Sequence, residues 1–243
     1  MVDFRRDVSP SLCFFTHDPT PASMRFTVSG NDFQALGGGG LFWIAERMLL
    51  VSDLHLGKEA TFCGGGIPVP RGATDSTLRR VTRMIATTDA EKLVILGDLF
   101  HARSSLADDV RSSFERFFSD HPDVDTTLVC GNHDDSTGGL PAQWPMRIVR
   151  PPWEMGGVTL HHFPGPPSDG ASLRIAGHTH PAFRIADRAA SIGKLPCFHY
   201  DRATRCITLP AAGRFTGTAA IRPAKGDRVW VIADERVFEI ALP

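Results

Sequence analysis

"LVILGDLFH", Leu93 to His101, opens with four apolar residues and stops on a glycine and an aspartate. Val94 and Ile95 are β-branched, the run has no helical period, and it is too short for a helix. It reads as a strand buried on both faces. Such a strand delivers Asp98 to the end of a sheet. The same construction recurs along the chain. "LLVSDLHLGK" ends on Asp53 and His55, and "TLVCGNHDD" on Asn132, His133 and Asp134. "VTLHHFPG" ends on His161 and His162, and "LRIAGHTHP" on His178 and His180. In open α/β sheets, ligands bind outside the carboxyl ends of the strands. Five strand ends loaded with Asp, Asn and His therefore point to one site. Seven of the ten histidines lie in these segments, a clustering that packing does not explain.

Between these strands lie two helical patterns. "DSTLRRVTRMIAT" repeats Leu78, Val81 and Ile85 at helical spacing, which puts Arg79, Arg80 and Arg83 mainly on a solvated face. "LADDVRSSFERFFSD" aligns Leu106, Val110, Phe114 and Phe117, with Asp108 and Asp109 in the first turn, where the helix dipole favours acids. "LFWIAERMLLVSD" reads as a hairpin turning at Glu46 and Arg47. After Asp135 the helices largely stop and short strands follow to the end. The order predicts two packed sheets flanked by helices. Residues 1–23, rich in proline and polar residues, read as a loosely ordered extension, and 24–243 as a single domain.

Composition narrows the function classes. The formal net charge is -1 with a pI near 6.8, which argues against a broad basic coat for non-specific nucleic-acid binding. The five cysteines are scattered with no CxxC pair, as in reduced thiols of a cytoplasmic protein, and a zinc finger is excluded. Cys130, in an apolar run, is expected in the core. No apolar run is long enough for a transmembrane helix, and no signal-peptide core follows Arg5 and Arg6.

The residue types at the strand ends point to metals. Carboxylates, imidazoles and an amide without thiolate suit Mn, Fe or Zn in a catalytic site. Asp53 and His55 are two apart, as are His178 and His180, so in extended chain each pair aims both side chains into one cleft. His161 and His162 fall on opposite faces, and alternation leaves open which one faces the cleft.

Asp-x-His, Gly-Asp, Gly-Asn-His-Asp, a lone His and Gly-His-x-His, in that order, resemble the calcineurin-like metallophosphoesterase superfamily over residues 48 to 185. The resemblance implies α/β architecture: a four-layer α/β/β/α sandwich, two mixed sheets flanked by helices. It implies two divalent metal ions, Mn²⁺ first with Fe²⁺ or Zn²⁺ open. Asp53, His55 and His180 would hold one, Asn132, His178 and one histidine of the pair the other, with Asp98 bridging. The family's histidine stands in a His-x-Pro context, which selects His162. By the same resemblance, two such ions would supply a hydroxide able to attack phosphorus. The resemblance also implies that His133 would face the scissile phosphate, and Asp134, next in the chain, is expected to orient its imidazole. His101, His161, Lys58 and Arg103 are candidates for substrate contact or support of the site, and His17, His121 and His199 are structural.

"DLHLGKEATF" and "GGIPVPRG", followed by "LGDLFH", also resemble the bacterial ligase-associated DNA damage response endonuclease family, PdeM, and "DLHLG" is similar to the first motif of SbcD-type nucleases. That likeness implies a DNA endonuclease in repair, acting on short or single-stranded DNA, with a DNA ligase and a helicase as partners. Two other functions compete. A phosphodiesterase for small nucleotides or other small diesters would use the same metals. An inactive scaffold would have lost ligands, whereas every expected ligand type is present.

Overall fold

The computed structural model describes residues 23–59, 72–101, 105–136, 140–187, 190–214 and 216–242. The first sheet contains β1 (Ser23–Val28), β2 (Asn31–Leu36), β3 (Leu41–Trp43), β4 (Met48–Val51), β5 (Lys92–Leu96), β6 (Asp125–Val129) and β7 (Met146–Val149), in that spatial order. Strands β1 to β4 form an antiparallel meander that includes the predicted hairpin, and β4 to β7 run parallel. Parallel neighbours need crossovers. Helices α1 (Ala73–Thr88) and α2 (Asp108–Asp120) lie in the first two.

Alternation along each strand divides the core. Leu49 and Val51 of β4 pack with Leu93 and Ile95 of β5 against Leu78, Val81 and Ile85 of α1 and Val110, Phe114 and Phe117 of α2. Met48, Leu50, Val94 and Leu96 point the other way, toward the second sheet. That sheet contains β8 (Trp153–Met155), β9 (Val158–Leu160), β10 (Leu173–Ala176), β11 (Pro181–Asp187), β12 (Ala190–Asp201), β13 (Cys206–Thr208), β14 (Ala219–Ala220), β15 (Arg228–Ala233) and β16 (Arg236–Ile240). Its order is β14-β11-β12-β13-β10-β9-β8, with β15 pairing β12 and β16. Between the sheets Phe26 stacks on Trp230 at 3.9 Å between ring centroids.

The architecture is the expected one in class, α/β with two mixed sheets and few helices, and some details differ. Among the described residues, both helices of more than ten residues lie on the first sheet. The outer face of the second carries a small cluster of Cys197, Val229 and Val231, packed by Phe183, Leu195 and Phe238. Strands β2, β11 and β14 have no long apolar run to announce them in sequence. Arg80 is half-buried rather than solvated, because its stem lies beside Gly38 while a guanidinium nitrogen reaches Ala212 O at 3.5 Å. Cys130 is half-buried at the end of β6. His121 meets Thr82 Oγ1 at 2.9 Å and His199 meets Asp227 Oδ2 at 3.0 Å. His17, residues 1–22 and Arg103 lie outside the described residues. No helix among the described residues is long and apolar enough to cross a membrane.

Candidate metal centre

The parallel strands β4, β5 and β6 of one sheet and β9 and β10 of the other end at a shared edge, and there the five motifs meet. Backbone bonds extend the β4–β5 pairing past the strands: Asp53 N to Gly97 O at 3.2 Å, and His55 N to Asp98 O at 3.0 Å. The chain then departs from the extended form assumed for the i, i+2 pairs. Asp53, His55, Asp98, His178 and His180 all have left-handed φ, between 45° and 71°. Left-handed backbone is uncommon outside glycine and concentrates at functional sites. The pairs share one cleft through two successive kinks, not through strand alternation.

Two groups of ligand atoms result, one of Asp53, His55 and His180 and one of Asp98, His162 and His178, each with its atoms within 4.8 Å of one another. Asp53 Oδ1 lies 3.3 Å from His180 Nε2. In the second group His162 Nε2 is 3.0 Å from His178 Nδ1, 3.1 Å from Asn132 Oδ1 and 3.4 Å from Asp98 Oδ1. Asp98 joins the two, since its other oxygen, Oδ2, lies 4.0 Å from His55 Nε2. Asn132 opens the short helix α3 (Asn132–Ser136).

The glycines of the motifs make room for the ligands. A Cβ on Gly97 would collide with the His162 ring. One on Gly131 would lie 2.5 Å from Asp98 Oδ1, and one on Gly177 would lie 2.6 Å from Asp53 Oδ2. Each motif's glycine is thus the space through which another motif's ligand passes.

Backbone carbonyls set the imidazoles, a contribution invisible in sequence. His162 Nδ1 donates to Leu96 O at 2.9 Å and His180 Nδ1 to Gly217 O at 3.0 Å, which turns both Nε2 lone pairs inward. His162 Nε2 then faces three further electron-rich atoms. Such a cluster needs positive charge at its centre. Burial opposes protonation of His162, but the Asp98 carboxylate outweighs it and raises the pKa. Asp98 responds in kind: burial would raise it, and the bonds with His162 and His133 hold it below the usual range. Burial pushes His55 down to about 4, so its imidazole is neutral and ready to ligate at pH 7. Asp53 Oδ1 and His55 Nδ1 are buried without a hydrogen-bond partner. Nitrogen and oxygen donors with buried, unmatched lone pairs fit divalent cations.

The remaining candidates divide. His133 Nδ1 meets His101 O at 2.7 Å, and its Nε2 stands 3.9 Å from Asp98 Oδ2, facing the centre. Asp134 has a second role beside the one expected toward that ring. Its carboxylate accepts the backbone N–H groups of Asp98, Leu99 and Gly131, so it fixes the loop that presents Asp98. Burial raises its pKa to about 6. His101 stacks on His133 with ring centroids 5.4 Å apart. Burial lowers the pKa of His101 as it does that of His55, and the nearby charge of Lys58 adds to it. His162 is fully buried in the cluster, whereas His161 turns aside and accepts the N–H of Phe163 at 2.9 Å.

A model of the calcineurin-like phosphoesterase family matches residues 46–167, half of the chain. The nuclease MPE of Pseudomonas putida is similar over 90% of this chain and 100% of its own, at 33% identity and a TM-score of 0.76. The chain belongs to the calcineurin-like phosphoesterase family. It is a metallophosphoesterase hydrolase, and its two His/Asp groups are consistent with a dinuclear metal site. Weaker likenesses link this phosphoesterase to the protein AQ665 from Aquifex aeolicus, at 19% identity over 66% of this chain and 88% of that one (TM-score 0.41). YfcE, a phosphoesterase from E. coli, is 16% identical over 81% and 99% of the two chains (TM-score 0.39). No curated protein matches the chain.

Proposed function

We propose that this phosphoesterase is a dinuclear metal-dependent phosphodiesterase that cleaves DNA, an endonuclease of the PdeM type serving DNA repair. The observation that carries the dinuclear reading is Asp98, whose two oxygens face one member of each ligand group. The likeness to the P. putida nuclease supports a nucleic-acid substrate. The ligase and helicase partnership rests on the motif resemblance.

In this reading Asp53, His55 and His180 hold one ion, Asn132, His162 and His178 the other, and Asp98 both, with Mn²⁺ as the first candidate. When bound, two such ions supply Lewis acidity toward the phosphate and a nucleophilic hydroxide near neutral pH. The protein does the rest. The carbonyls of Leu96 and Gly217 keep His162 and His180 in the ligating tautomer. His133, pinned through Nδ1, holds its Nε2 where a leaving oxygen needs a proton. Lys58 offers charge to a phosphate oxygen.

The test is a cleavage series on linear single-stranded, duplex and circular DNA, RNA and a small diester, each with Mn²⁺, Fe²⁺ and Zn²⁺. Cleavage of circular single-stranded DNA with Mn²⁺ is expected, since an endonuclease needs no end. Activity confined to the small diester would overturn the DNA reading and leave a small-molecule phosphodiesterase. Absence of any metal-dependent hydrolysis would overturn both.

A further inference from the structure

Phe163 is one of two large hydrophobic side chains among the described residues that stand exposed, at 40% of its surface. It is also the one beside the metal centre. Its ring centroid lies 4.5 Å from that of His178 and 4.9 Å from that of His162. A single exposed apolar ring is ordinary on a protein surface; what sets this one apart is that it lies against two candidate ligand imidazoles with its remaining surface open. The backbone that carries it is pinned on both sides. Phe163 N donates to His161 Nδ1 at 2.9 Å, and Phe163 O accepts from an Arg174 guanidinium nitrogen at 3.3 Å. Pro164 follows and restricts the next φ. The ring is held by its neighbours with one side packed on ligand imidazoles.

From this geometry we infer that Phe163 is a stacking platform for an unpaired nucleobase of the nucleotide adjoining the scissile phosphate. Aromatic platforms bind single strands because every base has a π-face, and they reject bases already stacked in a duplex. His161 is then a positioning residue, because its Nδ1 fixes the Phe163 N–H. The formal charge of -1 agrees with a grip that relies on stacking more than on phosphate contacts. The inference rests on the nucleic-acid reading of the site and adds the residue that distinguishes a single strand from a duplex.

The experiment compares wild type with Phe163→Ala and Phe163→Leu on a single-stranded oligonucleotide and on the same strand made abasic around the cleavage position. Loss of stacking is expected to lower kcat/KM on the normal strand by about 5- to 150-fold in both variants, and to change the abasic strand little. Equal losses on both strands would overturn the inference and make the ring a packing support for His178. A binding readout needs no bound metal. In chelator, emission from Phe163→Trp is expected to be quenched by the normal strand beyond the change seen in wild type, which carries four tryptophans of its own. No extra quenching would also count against the platform. If wild type cleaves no nucleic acid while hydrolysing a small diester, it is the nucleic-acid reading that has failed.

Discussion

His133 Nε2 and Asp98 Oδ2 stand 3.9 Å apart, yet removing each side chain is expected to do different things. Asp98 touches both ligand groups, so Asp98→Ala should strip bound metal and abolish turnover together. His133 holds no ligand position, so His133→Ala should retain metal while kcat falls about 10²- to 10⁴-fold, the range of a lost acid–base group. Metal analysis beside steady-state kinetics separates the two, and loss of metal from His133→Ala would break the assignment. The backbone beneath the ligands offers a second residue-scale prediction. His180 has φ 47°, a conformation that costs a non-glycine residue about 1–2 kcal/mol. His180→Gly and His180→Ala should lose metal equally. In chelator the glycine variant should melt a few degrees higher, at about 2–4 °C per kcal/mol for a chain of this size. Equal melting temperatures would show that the kink is not strained.

Among the elements, the turn before β15 is tied to β12 by one carboxylate. Asp227 accepts Arg202 N at 3.1 Å, Ala224 N at 2.8 Å and His199 Nε2 at 3.0 Å. Asp227→Ala abandons these donors and should cost about 2–3 kcal/mol in unfolding free energy, without touching metal content. Burial alone would raise the Asp227 pKa, but the bonds from Ala224, His199 and Arg202 hold it below 3.8. A carboxylate depressed in the fold stabilises fully above its unfolded pKa and loses that contribution as pH falls toward its folded value. The gap in stability between wild type and Asp227→Ala should therefore narrow below about pH 4. Denaturant titrations across pH 3 to 7 would show it, and a gap independent of pH would refute it. At this scale the sequence was informative wherever one period ruled, as in the apolar face of α2 or the buried run of β5. It marked no strand at β2, β11 or β14, where no long apolar run announces one. It was silent where the backbone acts, as at the Leu96 and Gly217 carbonyls that set His162 and His180, because a carbonyl is the same in every residue. The bonds from Asp98, Leu99 and Gly131 N–H to Asp134 were equally silent, because α3 carries its carboxylate back to the β5 loop.

For the molecule as a whole, the site lies on the seam between the sheets. Asp53, Asp98 and Asn132 come from the first sheet, and His162, His178 and His180 from the second. Ions bound there would bridge the two layers and favour the folded state by mass action. At a free concentration a hundredfold above the dissociation constant, one site contributes about 2.7 kcal/mol. Chelation should then lower the melting temperature by about 5–10 °C per site and restoring Mn²⁺ should reverse it. Unchanged melting on chelation would argue that the protein binds no ion tightly. The ligand list was legible in the sequence because the motifs carry side-chain types. How the candidates divide came from resemblance; in space Asp53, His55 and His180 lie in one group and Asp98, His162 and His178 in the other.

The five left-handed kinks also bear on the history of such a chain. Selection for hydrolysis and selection for a durable fold ask for different residues at His55, His178 and His180. A duplicated copy released from catalysis would gain stability by exchanging these histidines for glycine or asparagine, residues at ease in that conformation. Inactive descendants should therefore lose the site at its kinks first, keeping Asn132 and His162 as remnants of a centre that no longer assembles.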